Sequence, residues 1–205
     1  MRTNRRKMIR RYILPISYER LNYIENTSAA YINCGLQPTC TFDYELKAHI
    51  KTGNVVVGYN YQDDSLDYRF FFTGDAYYFD VGSNRINVFT DSILKKFPFY
   101  HVKFGNYYIN SIYPKGYNVT GDTFDKIMNG TKLNNLFLFW DGYHTDYDTR
   151  YYAVGKIYFL KIKDKDKLIR YFIPAKRKSD GMIGMYDLIG RKFYISPNGV
   201  AFTGG

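Results

Sequence analysis

The chain has 205 residues, enough for one domain that buries roughly 70% of the surface its unfolded form exposes. Aromatic residues make up a fifth of it, 23 Tyr, 16 Phe and one Trp, a composition that suits strands better than helices. No run approaches the roughly 20 apolar residues of a bilayer-spanning helix and no leader-like stretch precedes Tyr12, so no membrane role is expected and the chain reads as made in a cytoplasm.

The net charge of +10 is unevenly placed. Arg2, Arg5, Arg6, Lys7, Arg10 and Arg11 carry six of those charges, and no acid appears before Glu19. Residues 1–17 therefore read as a basic N-terminal arm and residues 18–205 as the folded domain. Such termini are ordered only when a partner ties them down. Three uses are open to the arm: a solvated tail, phosphate neutralisation on nucleic acid, and docking onto an acidic surface of a neighbouring protein. Only Tyr12 stands nearby for base stacking, which disfavours nucleic acid. The cations are followed by the apolar anchor Ile13-Leu14-Pro15-Ile16, which makes protein docking the preferred reading.

From Tyr18 the predicted strands come quickly. Leu21 to Glu25 and Ala30 to Asn33 are expected to pair with each other. Thr41 to Lys51 alternates, with Phe42, Tyr44, Leu46, Ala48 and Ile50 on one face and Asp43, Glu45, Lys47 and His49 on the other, a half-buried strand. Val55 to Tyr61, Tyr68 to Thr73, Tyr77 to Val81 and Arg85 to Thr90 follow, separated by glycine-containing turns. Asp91 to Phe97 is read as one helical turn. Tyr100 to Phe104 and Tyr107 to Ile112 form a hairpin across Gly105-Asn106. Gly121 to Gly130 is the best helix candidate, with Asp122 as its cap and Gly130 as its stop. Asn135 to Trp140 returns to strand, and Asp141 to Arg150 is a polar loop.

The C-terminal block reads as a hairpin. Gly155 to Ile162 and Leu168 to Ile173 flank a five-residue charged turn, Lys163 to Lys167. Period two puts Tyr158, Leu160 and Ile162 on one face and Ile157 and Phe159 on the other, so the strand is expected between layers. Pro174 lacks a donor and is taken to end the second strand. Ser179-Asp180-Gly181 supplies a turn in which glycine adopts positive φ.

This block, from Gly155-Lys156-Ile157-Tyr158 through Lys176-Arg177-Lys178-Ser179-Asp180-Gly181 and Tyr186-Asp187-Leu188 to Phe202-Thr203-Gly204-Gly205, resembles the C-terminal signature of a concanavalin A-like (laminin-G-like) module. That module is common in virion proteins of gut bacteriophages, including the crAss-like phages. The opening signature is present as Tyr23-Ile24-Glu25-Asn26-Thr27-Ser28-Ala29-Ala30-Tyr31-Ile32-Asn33-Cys34-Gly35, so the likeness brackets nearly the whole chain. Two departures stand out. Asn33 occupies a position where the family usually has aspartate, and Ser196-Pro197-Asn198-Gly199 replaces its usual turn.

The resemblance implies an all-β jelly-roll sandwich with one short helix and the extended basic arm. It implies a structural bacteriophage protein, a capsid-decorating or head-fibre component found in the virion. Its partners would be the major capsid or other virion proteins, with a homo-oligomer open. The arm residues Arg2, Arg5, Arg6, Lys7, Arg10 and Arg11 would anchor it to the capsid. The alternative is a carbohydrate-binding adhesion module contacting host-surface or mucus glycans. Its candidate site is Trp140, Asp141, Tyr143, Asp146, Tyr147 and Asp148, an aromatic platform beside polar groups, with calcium a further possibility.

Enzymatic chemistry is not expected. A retaining glycosidase needs two carboxyls about 5–5.5 Å apart, and the only glutamates, Glu19, Glu25 and Glu45, fall in the first quarter with no acidic triplet on a strand. His49, His101 and His144 are isolated, and no nucleotide-binding glycine loop occurs. Cys34 and Cys40 are read as reduced or partly buried thiols because no export signal is seen, and zinc is not expected because two further ligands are missing. No cofactor and no metal are expected. The Lys176-Arg177-Lys178 run is read as a solvated turn.

Overall fold

Alternation decides the first long strand. A computed structural model describes residues 12–37, 39, 42–52, 55–59, 68–72, 76–81, 84–90, 99–103, 135–140 and 152–205. In it Phe42, Tyr44, Leu46, Ala48 and Ile50 are all at most 6% exposed on the strand Phe42–Thr52, as the period-two pattern requires. The described residues form fifteen strands and no helix. They are β1 (Tyr18–Arg20), β2 (Ile24–Asn26), β3 (Ile32–Asn33), β4 (Phe42–Thr52), β5 (Val55–Tyr59), β6 (Tyr68–Phe72), β7 (Ala76–Val81) and β8 (Asn84–Thr90). The rest are β9 (Phe99–Lys103), β10 (Phe137–Leu138), β11 (Val154–Asp164), β12 (Lys167–Arg177), β13 (Ile183–Asp187), β14 (Lys192–Tyr194) and β15 (Thr203–Gly204). The expected helix at 121–130, the helical turn at 91–97 and the strand at 107–112 lie outside the described residues.

All pairings are antiparallel and fall into two sheets. The six-stranded sheet runs β3-β10-β5-β6-β7-β8. The nine-stranded sheet is built on β11, which pairs along its length with β4, and β4 pairs with β9. On its other side β11 is shared: β12 takes Leu160 to Asp164, and β2 takes Gly155 to Ile157. β12 and β11 diverge, and the N-terminal segment fills the fork, β1 on β12 and β2 on β11, with β15 beyond β2. One buried cluster joins the sheets, with Ile24, Leu46, Ile157, Leu160 and Phe172 from the larger and Ile32, Val56, Val57, Phe70 and Leu138 from the smaller.

Four local expectations are corrected. The segments Leu21–Glu25 and Ala30–Asn33 do not pair with each other. β2 pairs with β11 and β15, whereas β3 pairs with β10 in the other sheet. The cause is Asn26, wholly buried, whose Nδ2 donates to the carbonyl of Ala153 (2.8 Å) and whose Oδ1 accepts from the backbone N–H groups of Ser28 and Ala30 (both 3.1 Å). It turns the chain out of one sheet into the other.

The alternation of β11 is also out of phase with the expectation. A bulge between Ile157 and Phe159 returns Ile157, Leu160 and Ile162 to the same buried face and leaves Tyr158 and Phe159 half-buried on the outer one. The hairpin turn is shorter than expected: β11 runs to Asp164 and β12 starts at Lys167, leaving Lys165 and Asp166 with φ of 46° and 66°, the geometry of a primed two-residue turn. Pro174 lies inside β12. Its carbonyl accepts from Leu21 N–H (3.1 Å) on the side where β11 has left and β1 enters, so the missing donor interrupts no ladder. Gly155 (φ 152°) sits where β11 crosses closest to β4, and a Cβ there would collide with the His49 carbonyl.

Candidate functional site

Both faces of β12 and β13 are apolar, and the chain covers each differently. Phe172 and Met185 face the inter-sheet core. Ile173, Ala175, Tyr186 and Leu188 face outward, where Leu14 and Tyr18 close over them together with Tyr171 and Phe193. The Tyr18 ring lies 4.8 Å from Tyr186 and 5.1 Å from Phe193, and Tyr12 lies 6.3 Å from Tyr171. Tyr18 N–H donates to the Pro15 carbonyl and Lys178 N–H to that of Ser17, both at 3.0 Å. Residues 12–17, grouped with the arm by composition, thus lie as a strap along this sheet. The arm residues Arg2, Arg5, Arg6, Lys7, Arg10 and Arg11 lie outside the described residues.

The strap meets the turn between β12 and β13. Arg177 grips Asp180 with two nitrogens (Nε to Oδ1 3.0 Å, Nη2 to Oδ2 2.6 Å) and lies over the Phe193 ring at 5.5 Å. Those donors hold the Asp180 carboxyl below the usual carboxylate range. Gly181, at φ 74°, returns its N–H to the Arg177 carbonyl, the positive-φ role the sequence assigns to it. Lys178 is exposed, while Lys176 and Arg177 are half-buried.

Elsewhere on the outer face, the β11 bulge sets Tyr158 and Phe159 side by side among lysines. Lys47 Nζ stands 4.8 Å from the Tyr158 ring, Lys156 Nζ 3.8 Å from that of Tyr23, and Lys161 Nζ 5.2 Å from that of Phe159. Glu25 and Glu45 balance them: Lys51 to Glu25 and Lys161 to Glu45 each measure 2.6 Å. The hydrogen bond from Lys51 holds the Glu25 carboxyl below its ordinary value. Pairs this exposed add about 0–1 kcal/mol each, so this face is a solvated mosaic.

The chemistry-bearing residues of the interior are structural. Asp187, fully buried, accepts through Oδ1 from the N–H groups of Tyr171 and Ile189 (both 3.0 Å), and its Oδ2 faces Arg170 Nε at 3.3 Å as a charge contact. Cys34 is a buried free thiol, its ionisation pushed well upward by burial. His49 is exposed on the outer edge of β4. Among the described residues no three His, Cys, Asp or Glu side chains converge where a metal ion could sit.

Of the glycan-binding candidates, Asp141, Tyr143, Asp146, Tyr147 and Asp148 lie outside the described residues. Trp140 is 8% exposed in a satellite cluster with Ala29, Phe137 and Tyr152. Tyr152 stacks on it at 5.9 Å and 5° between planes, and Tyr31 tilts against it at 4.4 Å. Its ring serves packing. Asn33 accepts Gly35 N–H at 2.9 Å in a local turn. Residues 196–199 clasp the segment 29–31: Tyr31 N–H donates to Ser196 Oγ (3.1 Å), and Asn198 Nδ2 to the Ala29 carbonyl (2.8 Å).

Comparison with protein-family models, curated proteins and solved structures finds no match for this chain.

Sequence reasoning assigned no structural role to Asn26, Asp187 or Tyr18, and it gave Leu14 to a docking anchor, whereas Leu14 packs on the chain's own sheet. Asn26 and Asp187 had a visible signal, a carboxamide and a carboxylate placed next to strand ends.

Proposed function

We propose that this chain is a structural component of a bacteriophage virion. In this reading it is a concanavalin A-like jelly-roll module that decorates the capsid or forms part of a head fibre, attached through its basic N-terminal arm. One observation carries the reading: the two stretches that bear the resemblance, residues 23–35 and 155–205, build a single structural unit. β2 lies between β11 and β15, Asn198 holds Ala29, and Ser196 holds Tyr31. The residues that carry the resemblance are those on which this fold closes, which supports the reading. The strap adds support, because residues 12–17, which follow the six arm cations in sequence, are fixed on one face of the larger sheet.

The test is to purify particles from infected cells and look for the chain by mass spectrometry and by labelling on the particle surface. Expected are its presence on intact particles and its loss when residues 1–11 are deleted. Particles that lack the chain would refute the reading. The adhesin alternative predicts binding to polysaccharide by the isolated protein and a melting shift with calcium. It has less support, because Trp140 is only 8% exposed and packs against Tyr31 and Tyr152.

A further inference from the structure

Four large apolar side chains are exposed among the described residues: Tyr12 (41%), Ile13 (54%), Ile16 (91%) and Met182 (37%). Ile16 and Met182 flank one turn, whereas Tyr12 lies further along β12, against Tyr171. Three lie in the strap before β1, and Met182 follows the turn that ends β12. Two hydrogen bonds tie both segments to that turn, Lys178 N–H to the Ser17 carbonyl (3.0 Å) and Arg177 N–H to the Met182 carbonyl (2.8 Å). Local geometry explains why the isoleucines stay outside. Leu14 turns inward onto Ile173 and Tyr186, and the turn closed by Tyr18 N–H on the Pro15 carbonyl holds Ile16 in water. Isoleucine is among the residues most often buried, and grouped exposed apolar side chains mark interaction sites.

The rim is basic. Arg20 and Arg177 share the outer face with Tyr18, and Lys178 follows in the turn; Arg177 is paired with Asp180, and Glu19 and Lys176 alternate to the other face. Six further cations precede Tyr12 in the sequence. We propose that Ile13, Ile16 and Met182 form the apolar centre of a docking patch for an acidic protein surface, one that offers hydrophobic side chains ringed by carboxylates. A nucleic acid suits it less, because isoleucine and methionine gain nothing from phosphates and Tyr12 already lies against Tyr171. A second copy suits it less, because a two-fold contact would bring two basic rims together. The patch is held by backbone hydrogen bonds and a bidentate ion pair, so little ordering is needed on binding.

The patch rests on the attachment reading above for its setting, yet the two fail separately. Particles can take up the protein by another face, and the patch can bind a probe even if the protein never joins a particle. The probes are two synthetic peptides of equal negative charge, one alternating Glu with Leu and one alternating Glu with Ser, and a single-stranded oligonucleotide. Each is labelled and titrated with the full chain at physiological salt. The Glu-Leu peptide is expected to bind at least about tenfold tighter than the Glu-Ser peptide, and Ile16→Ala or Met182→Ala to remove about a factor of ten. Melting temperatures should not change with Ile16→Ala, because the side chain has almost nothing to lose on the folded surface. Lys167→Ala, at the opposite end of β12, should leave binding unchanged. Equal affinity for the two peptides, tighter binding of the oligonucleotide, no effect of Ile16→Ala, or a gain in affinity on deleting residues 1–11 would each overturn the proposal.

Discussion

Asn26→Ala is the sharpest probe of how this chain closes. Asn26 is fully buried, and its side chain satisfies the N–H of Ala30 and the carbonyl of Ala153, both on residues with no exposure. It also bonds both the N–H and the carbonyl of Ser28, which is exposed and can turn to water. Truncation leaves the two buried groups unpaired at about 1–3 kcal/mol each, so a loss of about 4 kcal/mol is expected. That is a large share of the roughly 5–15 kcal/mol a domain commands, and it corresponds to a fall in Tm on the order of 10 °C. Urea denaturation followed by the fluorescence of Trp140, the one tryptophan, measures it. Asn26→Asp sharpens the test. The variant keeps the acceptor for Ser28 and Ala30 but aims an oxygen at the Ala153 carbonyl. Its carboxyl would be raised in the folded state, so its deficit should shrink as pH falls and the group protonates, while the deficit of Asn26→Ala should not. A loss under about 1 kcal/mol for Asn26→Ala, or wild-type stability of Asn26→Asp at neutral pH, would refute the role assigned to this residue.

Three further outcomes are expected. The Glu25 carboxyl is held low by Lys51, so its contribution is present above the unfolded carboxyl pKa and lost as pH falls through the lower folded value; the gap in urea stability between wild type and Glu25→Gln should close on acidification, and a constant gap would count against the pair. Cys34 is buried with its ionisation pushed upward by burial, so in a Cys40→Ser background a thiol reagent at mildly alkaline pH should react only after urea unfolding; fast labelling of the native protein would contradict this placement. Phe202→Ala removes a ring that is 3% exposed and lies 5.7 Å from Phe139, with an expected loss of about 3–5 kcal/mol by equilibrium unfolding, and a loss below about 1 kcal/mol would deny that the last strand seals the core.

Strand positions were legible wherever a single strand carries its own pattern. The five inward residues of β4 can be read straight off the alternation, and the β11–β12 hairpin off its two apolar runs. What local pattern could not give are features decided by a distant partner. The bulge at Tyr158 is set by the register against β4, so alternation alone placed Ile157 on the wrong face. Pro174 is tolerated because it stands at a fork, and nothing near it in sequence shows that β11 has left. The split of β2 and β3 between sheets depends on a hydrogen bond from Asn26 to a residue 127 positions away. Trp140 shows the same limit at the candidate site. Its composition suits a sugar platform, but whether a ring face is open depends on Tyr31 and Tyr152, which come from other parts of the chain.

The docking patch depends on the same long-range closure, and this separates two kinds of failure. Ile16 and Met182 flank the same turn because β1 lies on β12 and the strap's Ser17 bonds Lys178, so the patch exists only when the ends of the chain have met. Contact and seam can be told apart by pairing Ile16→Ala with Tyr18→Ala. Tyr18 is half-buried, with its ring against Tyr186 and Phe193. Removing it strips two aromatic contacts and uncovers Ile173, at a cost of about 2–3 kcal/mol. Tyr18→Ala should therefore lower both stability and peptide affinity, and the affinity loss should deepen with urea well below the midpoint of global unfolding, because the seam opens locally first. Ile16→Ala should lower affinity alone, by a factor that urea does not change in that range. If both variants weaken binding by a factor independent of urea, the strap is not held by its seam, and the juxtaposition of Ile16 with Met182 has some other cause.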